Sequence, residues 1–213
     1  MGTAVSFKRA AAIAAVAVIA VGAVDCVMAQ GANAKPSIST FADKRDGKTY
    51  KKVAIGKQVW MAENLNYDVP DVDSDVCYDN SPDSCAKYGR LYDWETAKKA
   101  CPAGFHLSTN EEWATLIDYV GGKKTAGTKL KSGWRFGKSG TDEYGFSALP
   151  GGCRLASGQF HYIGSYGNWW SADVSESRAS EADSWFMPSS LEIVAKSDDS
   201  EKAMKYSVRC VQD

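Results

Sequence analysis

Cysteine is the residue type whose number and spacing suggest the most chemistry in this 213-residue chain. The chain has six cysteines, and five of them remain once a leader segment containing Cys26 is set aside. Zinc sites usually combine close CxxC pairs with histidine partners, and neither pattern is present, so disulfides are favoured over zinc. We predict two disulfides and one free thiol: Cys77–Cys85, Cys101–Cys210 and Cys153.

Acid–base and nucleophilic chemistry finds little support in the sequence. The two histidines, His106 and His161, are not accompanied by a Gly-x-Ser-x-Gly elbow, which argues against a hydrolase triad. Asp142 and Glu143 are adjacent carboxylates that would point in different directions, which argues against a glycosidase pair. We therefore interpret His106 as a structural residue in a turn, and we predict that the protein is not an enzyme.

An acidic loop offers a weak calcium pattern, because Asp71, Asp73 and Asp75 are spaced like the first ligands of an EF-hand loop. The pattern then fails, since Val76 replaces the required glycine and Pro82 stands where a bidentate glutamate belongs. We favour a solvated acidic loop, with an irregular calcium site as the alternative. No other metal or cofactor is predicted.

Aromatic residues crowd into the second half of the chain, where many glycines separate short apolar runs. Aromatic faces stack on sugar rings and anchor protein interfaces, although most such side chains belong to the core. If Trp169 and Trp170 lie in a strand, they face opposite sides of the sheet, and one of them could belong to an exposed patch. The candidate ligand-binding residues are Trp134, Arg135, Tyr144, Tyr162, Tyr166, Trp170 and Trp185.

Two predicted helices position the first half of the chain. Asp93 can cap a helix over residues 94–100, which Pro102 ends. Ser108 or Thr109 can cap a second helix with capping-box spacing. The second helix has one apolar face at helical spacing, formed by Trp113, Leu116, Ile117 and Val120.

The remaining periodicity is that of strands. Residues 49–55 and 58–61 have the pattern of a hairpin, with Val53 and Ile55 on one face. A polar turn is predicted at residues 197–202. Further candidate strands are residues 146–149, 159–163, 168–172, 184–187, 191–195 and 206–211. Helices followed by strands indicate an α+β domain.

The first 29 residues have the composition of a secretory signal peptide. Lys8 and Arg9 supply a basic region, residues 10–24 are apolar, and Val27-Met28-Ala29 offers small residues for cleavage. The apolar run is shorter than the roughly 20 residues of a membrane span. We predict a signal peptide at 1–29, a flexible linker at 30–42 and one domain at 43–213.

Lipidation and nucleic-acid binding are not predicted. Asp25 and Ala23 precede Cys26 at positions where a bacterial lipoprotein signal requires small and aliphatic residues. The chain has 25 basic and 26 acidic residues and no basic stripe, which argues against a nucleic-acid partner. No second apolar run predicts a membrane span in the mature chain.

Seven blocks of sequence occur in collinear order over residues 43–213. They are residues 43–50 (DKRDGKTY), 60–65 (WMAENL), 87–92 (KYGRLY), 101–107 (CPAGFHL), 140–152 (GTDEYGFSALPGG), 169–171 (WWS) and 207–210 (SVRC). Together they resemble the Fibrobacter succinogenes major paralogous domain family. Cys153 stands where that family usually has an aromatic residue, which strengthens its interpretation as the unpaired cysteine, and Phe105 replaces a more usual tryptophan.

The resemblance implies a secreted or bacterial cell-surface protein with a C-type-lectin-like fold. In that fold two helices pack on a twisted, mostly antiparallel sheet with long loops, disulfides staple the domain, and the N- and C-terminal strands lie side by side. The family's activity is not established, so the resemblance implies no reaction.

We expect a non-catalytic binding module for a polysaccharide or a surface partner. The aromatic and glycine-rich loops around residues 134–145 and 160–190 would meet the ligand. The first alternative is a structural or assembly module of the cell envelope, cross-linked through Cys153. The second is an enzyme related to formylglycine-generating folds, whose redox site Cys153 alone does not supply.

Overall fold

The computed structural model of the chain describes residues 1–2, 36–70, 75–133 and 140–213. Residues 3–35 contain almost all of the predicted signal peptide and the first part of the predicted linker, and they lie outside the described residues. The described residues form a mixed α and β fold in which strands predominate. Within this part of the chain, no helix is long and apolar enough to cross a membrane.

Strands and helices alternate irregularly along the chain. The strands are β1 (Ile38–Ala42), β2 (Thr49–Ile55), β3 (Gln58–Met61), β4 (Asp75–Val76), β5 (Leu91–Tyr92), β6 (Phe105–Leu107), β7 (Gly151–Arg154), β8 (Phe160–Ile163), β9 (Tyr166–Val174), β10 (Glu181–Pro188), β11 (Ala195–Glu201) and β12 (Cys210–Gln212). The helices are α1 (Pro82–Tyr88), α2 (Trp94–Ala100), α3 (Asn110–Tyr119) and α4 (Ala126–Leu130). A short 3-10 helix, Tyr78–Asn80, precedes α1.

The first sheet has the strand order β1-β2-β3-β12-β6, and all neighbours are antiparallel. The predicted hairpin is confirmed as β2 and β3, and Val53 and Ile55 both face the core. The C-terminal strand β12 pairs with β3 and β6 rather than with β1, so the implied pairing of N- and C-terminal strands is wrong. The predicted linker also ends earlier than expected, because residues 38–42 form the edge strand β1.

The second sheet has the order β11-β10-β9-β7-β8 and is antiparallel except where β7 meets β9. The polar turn predicted at 197–202 is wrong, since most of it belongs to β11. An edge strand needs only one neighbour and can leave one face in water, so a charged sequence can still form it. Residues 146–149 and 191–194 are not strands, and the predicted strand 206–211 is reduced to β12.

The two predicted helices are confirmed with their caps. Asp93 Oδ1 accepts a hydrogen bond of 2.9 Å from Thr96 N at the start of α2. At the start of α3, Thr109 and Glu112 form a complete capping box. The short helices α1 and α4 were not predicted, because segments of seven and five residues are too short to show a helical period.

The core lies between the two sheets, and α3 inserts its apolar face into it. The ring of Trp113 lies 5.1 Å from that of Trp60 in the first sheet and 5.9 Å from those of Trp169 and Trp185 in the second. A second cluster surrounds α2 and includes Trp170. Trp169 and Trp170 therefore face opposite sides of β9, as alternation predicts, but both sides are covered.

Both predicted disulfides are confirmed. Cys77–Cys85 closes the segment around the 3-10 helix and α1, and Cys101–Cys210 joins the end of α2 to β12. Cys153 is free and buried in β7, as its interpretation as the unpaired cysteine requires.

Candidate functional site

Three aromatic rings lie side by side on the partly exposed face of the second sheet. The ring centroids of Tyr162 on β8 and Tyr166 on β9 are 5.2 Å apart, and those of Tyr166 and Phe186 on β10 are 6.3 Å apart. Tyr162 is 55% exposed, and the other two are half-buried. We call these three residues the aromatic strip.

Strand pairing places the aromatic strip on one face. Phe186 is opposite Asn168 and Pro188 is opposite Tyr166, so these four side chains share a face of the β9–β10 pair. Tyr162 reaches the strip from near the end of β8, where its φ is 68°. This left-handed conformation is uncommon for a residue other than glycine, and such strain concentrates at functional sites.

The rings of the aromatic strip are inclined to one another rather than coplanar. The interplanar angle is 57° between Tyr162 and Tyr166 and 44° between Tyr166 and Phe186. The strip therefore presents a curved surface, not a flat one, to anything that stacks on it.

Trp170 and Trp185, two of the predicted ligand-binding residues, have buried side chains and lie away from the accessible surface. Trp170 is 0% exposed and Trp185 is 2% exposed. The indole of Trp170 donates to the Tyr92 carbonyl oxygen at 2.7 Å, and that of Trp185 donates to Asn110 Oδ1 at 2.9 Å. Alternation along a strand separates its two faces, but it does not reveal that packing covers both of them.

The other predicted ligand-binding residues lie elsewhere. The half-buried ring of Tyr144 packs edge-on against Tyr119 at 5.9 Å and not against the aromatic strip. Burial raises the pKa of the Tyr144 hydroxyl. Trp134 and Arg135 lie outside the described residues.

Asp75 of the acidic loop is paired with an arginine. Asp75 Oδ2 accepts a hydrogen bond of 2.9 Å from Arg90 Nη1, and Asp68 accepts from the same guanidinium. Burial raises the pKa of Asp75, and the charge of Arg90 opposes that rise. Asp71 and Asp73 lie outside the described residues. In the part of the chain that the structure describes, no group of three or more His, Cys, Asp or Glu side chains is arranged to hold a metal ion.

A polar cleft of about 410 Å³ is the second surface feature, and sequence reasoning missed it. It opens between the start of β2, the segment after β3 and the C-terminal end of α1. The side chains that matter for its chemistry are Lys48, Lys51, Glu63, Asn66, Lys87 and Tyr88. We call this feature the basic cleft, because its described lining has three lysines and one glutamate.

Part of the sequence that carries the family resemblance lines the basic cleft. Four of the seven blocks that carry the family resemblance contribute to its lining: residues 43–50, 60–65, 87–92 and 140–152. These four blocks are distant in sequence and meet only in the folded chain. The spacing of these blocks in the sequence therefore does not show that they line the same cleft.

The floor of the basic cleft is a saturated hydrogen-bond network around Asn64. Its amide nitrogen donates to the Tyr88 carbonyl oxygen at 2.7 Å. Its Oδ1 accepts from Trp169 Nε1 at 2.9 Å and from Arg209 Nε at 2.8 Å. Gly89 lies against this floor, and a Cβ there would approach the Asn64 Cβ to 2.8 Å, so only glycine fits.

Arg209 is fully buried and joins the floor of the cleft to its wall. Its guanidinium donates to the Met61 carbonyl oxygen at 2.9 Å, to the Ser147 carbonyl oxygen at 3.0 Å and to the Phe146 carbonyl oxygen. Burial lowers the pKa of Arg209 to about 9. The hydrogen bonds satisfy backbone acceptors that would otherwise be orphaned in the interior.

His106 is held between two carboxylates and not in a cavity. Its Nε2 lies 2.7 Å from Glu112 Oε1, and its Nδ1 lies 2.7 Å from Asp213 Oδ1. Partial burial alone would lower the pKa of His106, but the hydrogen bonds with Asp213 and Glu112 outweigh it and raise the pKa. The residue thus connects β6, α3 and the chain after β12.

We expect replacement of His106 by glutamine to destabilise the protein more at about pH 6 than at about pH 8.5. A raised folded-state pKa stabilises the fold below the unfolded-state pKa, and this stabilisation is lost as pH rises through the folded-state pKa. The side chain is partly exposed, so the difference should stay below about 1 kcal/mol. Urea denaturation at the two pH values measures it. In a protein that already carries Asp213→Asn, the replacement of His106 should show a smaller difference between the two pH values. Equal destabilisation at both pH values would contradict the raised pKa of His106.

Comparison with known proteins gives one match. A sequence model of a family described as the Fibrobacter succinogenes major domain matches residues 53–212. The matched range begins within β2 and ends within β12, so it includes the aromatic strip and much of the basic cleft. No curated protein and no solved structure matches the chain.

Proposed function

The chain belongs to the Fibrobacter succinogenes major domain family, and on that premise we propose that it is a non-catalytic polysaccharide-binding module of a secreted or cell-surface bacterial protein. The observation that carries the proposal is the aromatic strip, in which Tyr162, Tyr166 and Phe186 lie together on an accessible face. Two of these three residues were expected from the sequence to bind a ligand.

Stacking on sugar rings is the chemistry that suits the strip best. Aromatic faces carry a large apolar area, and a tyrosine adds a hydroxyl that can reach a polar partner at the rim. A monomeric protein rarely leaves a contiguous apolar surface exposed unless it binds something. Tyr162 is also held in a strained backbone conformation, which the surrounding hairpin has to stabilise.

The tilt of the rings narrows the ligand to single glycan chains. A flat crystalline face, such as that of crystalline cellulose, would need coplanar rings to stack on all of them together. The rings here are inclined by 57° and 44°, which suits a chain that twists as it passes over them. We therefore propose a soluble plant-type polysaccharide as the ligand class.

A C-type-lectin-like arrangement is the fold that we propose for this module. The packing of α2 and α3 on the sheets and the disulfide from the end of α2 to the C-terminal strand support it. In a C-type-lectin-like fold the N- and C-terminal strands lie side by side, whereas here the C-terminal strand β12 lies beside β3. Export is supported by the two disulfides, because they persist in oxidising compartments.

The two alternatives lack a supporting observation. Cross-linking needs an accessible thiolate, but Cys153 is buried and burial raises its pKa to about 11. Formylglycine-type chemistry needs a thiol pair, whereas the other described cysteines are joined in disulfides. We propose that binding needs no calcium, since the Asp75 carboxylate is already paired with the guanidinium of Arg90.

Replacement of both tyrosines of the strip, Tyr162→Ala with Tyr166→Ala, should weaken glycan binding at least about tenfold per removed ring. Isothermal titration against soluble xylan, xyloglucan and mixed-linkage glucan measures the effect, with and without a calcium chelator. Tyr119→Ala is the matched control, because Tyr119 is 43% exposed and packs against Tyr144 and not the strip. The proposal fails if no soluble glycan binds, or if the double variant binds as well as the unchanged protein.

A further inference from the structure

We propose that the basic cleft is a second binding site, separate from the aromatic strip, and that it takes an acidic sugar residue such as a uronate. None of the three residues of the strip lines the cleft. The inference rests on the proposed function only in taking the ligand to be a carbohydrate. The anionic group of that carbohydrate is inferred from the cleft itself.

Charge in the cleft is positive and incompletely neutralised. Lys48 is compensated, since its Nζ lies 3.3 Å from Asp46 Oδ2 and donates to the Asn66 carbonyl oxygen. Lys87 Nζ lies 4.9 Å above the ring centre of Tyr88. In the described part of the chain, Lys51 and Lys87 have no carboxylate within ion-pair distance, so two exposed ammonium groups at one cleft lack a counter-charge.

The glutamate in the lining selects among anions. Glu63 lines the cleft, and its Oε2 accepts a hydrogen bond of 2.8 Å from the backbone N–H of Lys51. A carboxylate repels a doubly charged phosphate but accepts hydrogen bonds from sugar hydroxyls. The short helix α1 also meets the cleft at its C-terminal end, where carbonyl oxygens favour donors over anions. A uronate offers one negative charge for the lysines and several hydroxyls for these acceptors.

Size and rigidity also suit a small carbohydrate. A volume of about 410 Å³ lies in the range of small-molecule sites. The floor is fixed, because the amide of Asn64 is saturated by hydrogen bonds and Arg209 ties it to Ser147 at the wall. A fixed site has less conformational entropy to lose when it binds. Tyr88 adds a ring on which a sugar can stack.

Titration with a trimer of galacturonic acid and with a neutral galactose trimer tests the proposal. We expect the acidic trimer to bind at least about tenfold tighter at low salt and to weaken as salt is added. The double variant Lys51→Gln with Lys87→Gln should lose about tenfold or more in affinity for the acidic trimer. The control is Lys99→Gln with Lys124→Gln, since both lysines are exposed and neither lines the cleft.

Three results would overturn the proposal: equal binding of the two trimers, unchanged affinity in the Lys51/Lys87 variant, or tighter binding of inorganic phosphate than of the acidic trimer. Unchanged thermal unfolding of the variant, whose lysines are exposed, shows that any loss of binding is local. Binding of neutral polysaccharide by the same variant reports on the aromatic strip. Failure of the basic cleft and failure of the proposed function are therefore separate results.

Discussion

Replacing Arg209 by leucine should lower the free energy of unfolding by about 4 kcal/mol. The change removes one of the two donors to Asn64 Oδ1 and the guanidinium donors to the carbonyl oxygens of Met61, Phe146 and Ser147 in the interior. Each buried acceptor left without a partner costs about 1–3 kcal/mol, and relaxation recovers part of the sum. Arg209→Lys should cost about half as much, because one ammonium cannot reach acceptors on both sides of the planar guanidinium.

Urea denaturation followed by tryptophan fluorescence measures this effect. Lys124→Leu is the matched control, because it also removes a cation but the Lys124 side chain is exposed. We expect the control to change stability by less than about 0.5 kcal/mol. A loss below about 1 kcal/mol in Arg209→Leu would mean that water or neighbouring donors replace the guanidinium, and it would contradict the role given to this residue.

Removing the long disulfide should be the other large loss. Cys101→Ala with Cys210→Ala should cost about 4.8 kcal/mol, whereas Cys77→Ala with Cys85→Ala should cost about 2.6 kcal/mol. The difference arises because the pairs are separated by 109 and 8 residues, and closing the longer loop removes more entropy from the unfolded chain.

The two double variants are compared by urea denaturation under oxidising conditions. Cys153→Ala controls for the loss of a cysteine side chain, since this thiol is buried and forms no disulfide. Equal losses in the two double variants, or a larger loss for the short loop, would show that loop length does not govern disulfide stabilisation here.

The sequence predicted the elements whose structure depends on interactions between residues that are close together in the chain. The caps at Asp93 and Thr109 depend on side chains within three residues of the helix start, and both helices begin where these caps predict. The β2–β3 hairpin likewise depends on a short turn at Gly56. The family resemblance is also confirmed, whereas a lectin-like fold stays a proposal.

Elements that depend on distant pairing were not predictable in this way. Residues 197–202 look like a turn because they are polar, yet β11 is held by its ladder with β10 at the edge of the sheet. β1 looks like linker, but Phe41 stacks on Phe105 at 4.4 Å and adds the strand to the first sheet. In both cases the partner strand, not the segment itself, decides the structure.

The candidate site also combines features that depend on nearby residues with features that depend on distant segments. Tyr162 and Tyr166 are four residues apart across a tight turn, so their proximity has a local cause. Trp170 and Trp185 looked equally suitable, but other elements cover them on both sides of the sheet. The basic cleft escaped prediction because its lining comes from segments that are distant in the sequence and meet only in the folded chain.

The central position of β12 has a consequence for biosynthesis. Residues 210–212 leave the ribosome after every other described strand, yet they lie inside the first sheet and provide half of the long disulfide. Neither the sheet nor the crosslink can be completed while those residues are still in the exit tunnel. The first sheet is therefore completed only after residues 210–212 have been synthesised, whatever order the earlier strands adopt.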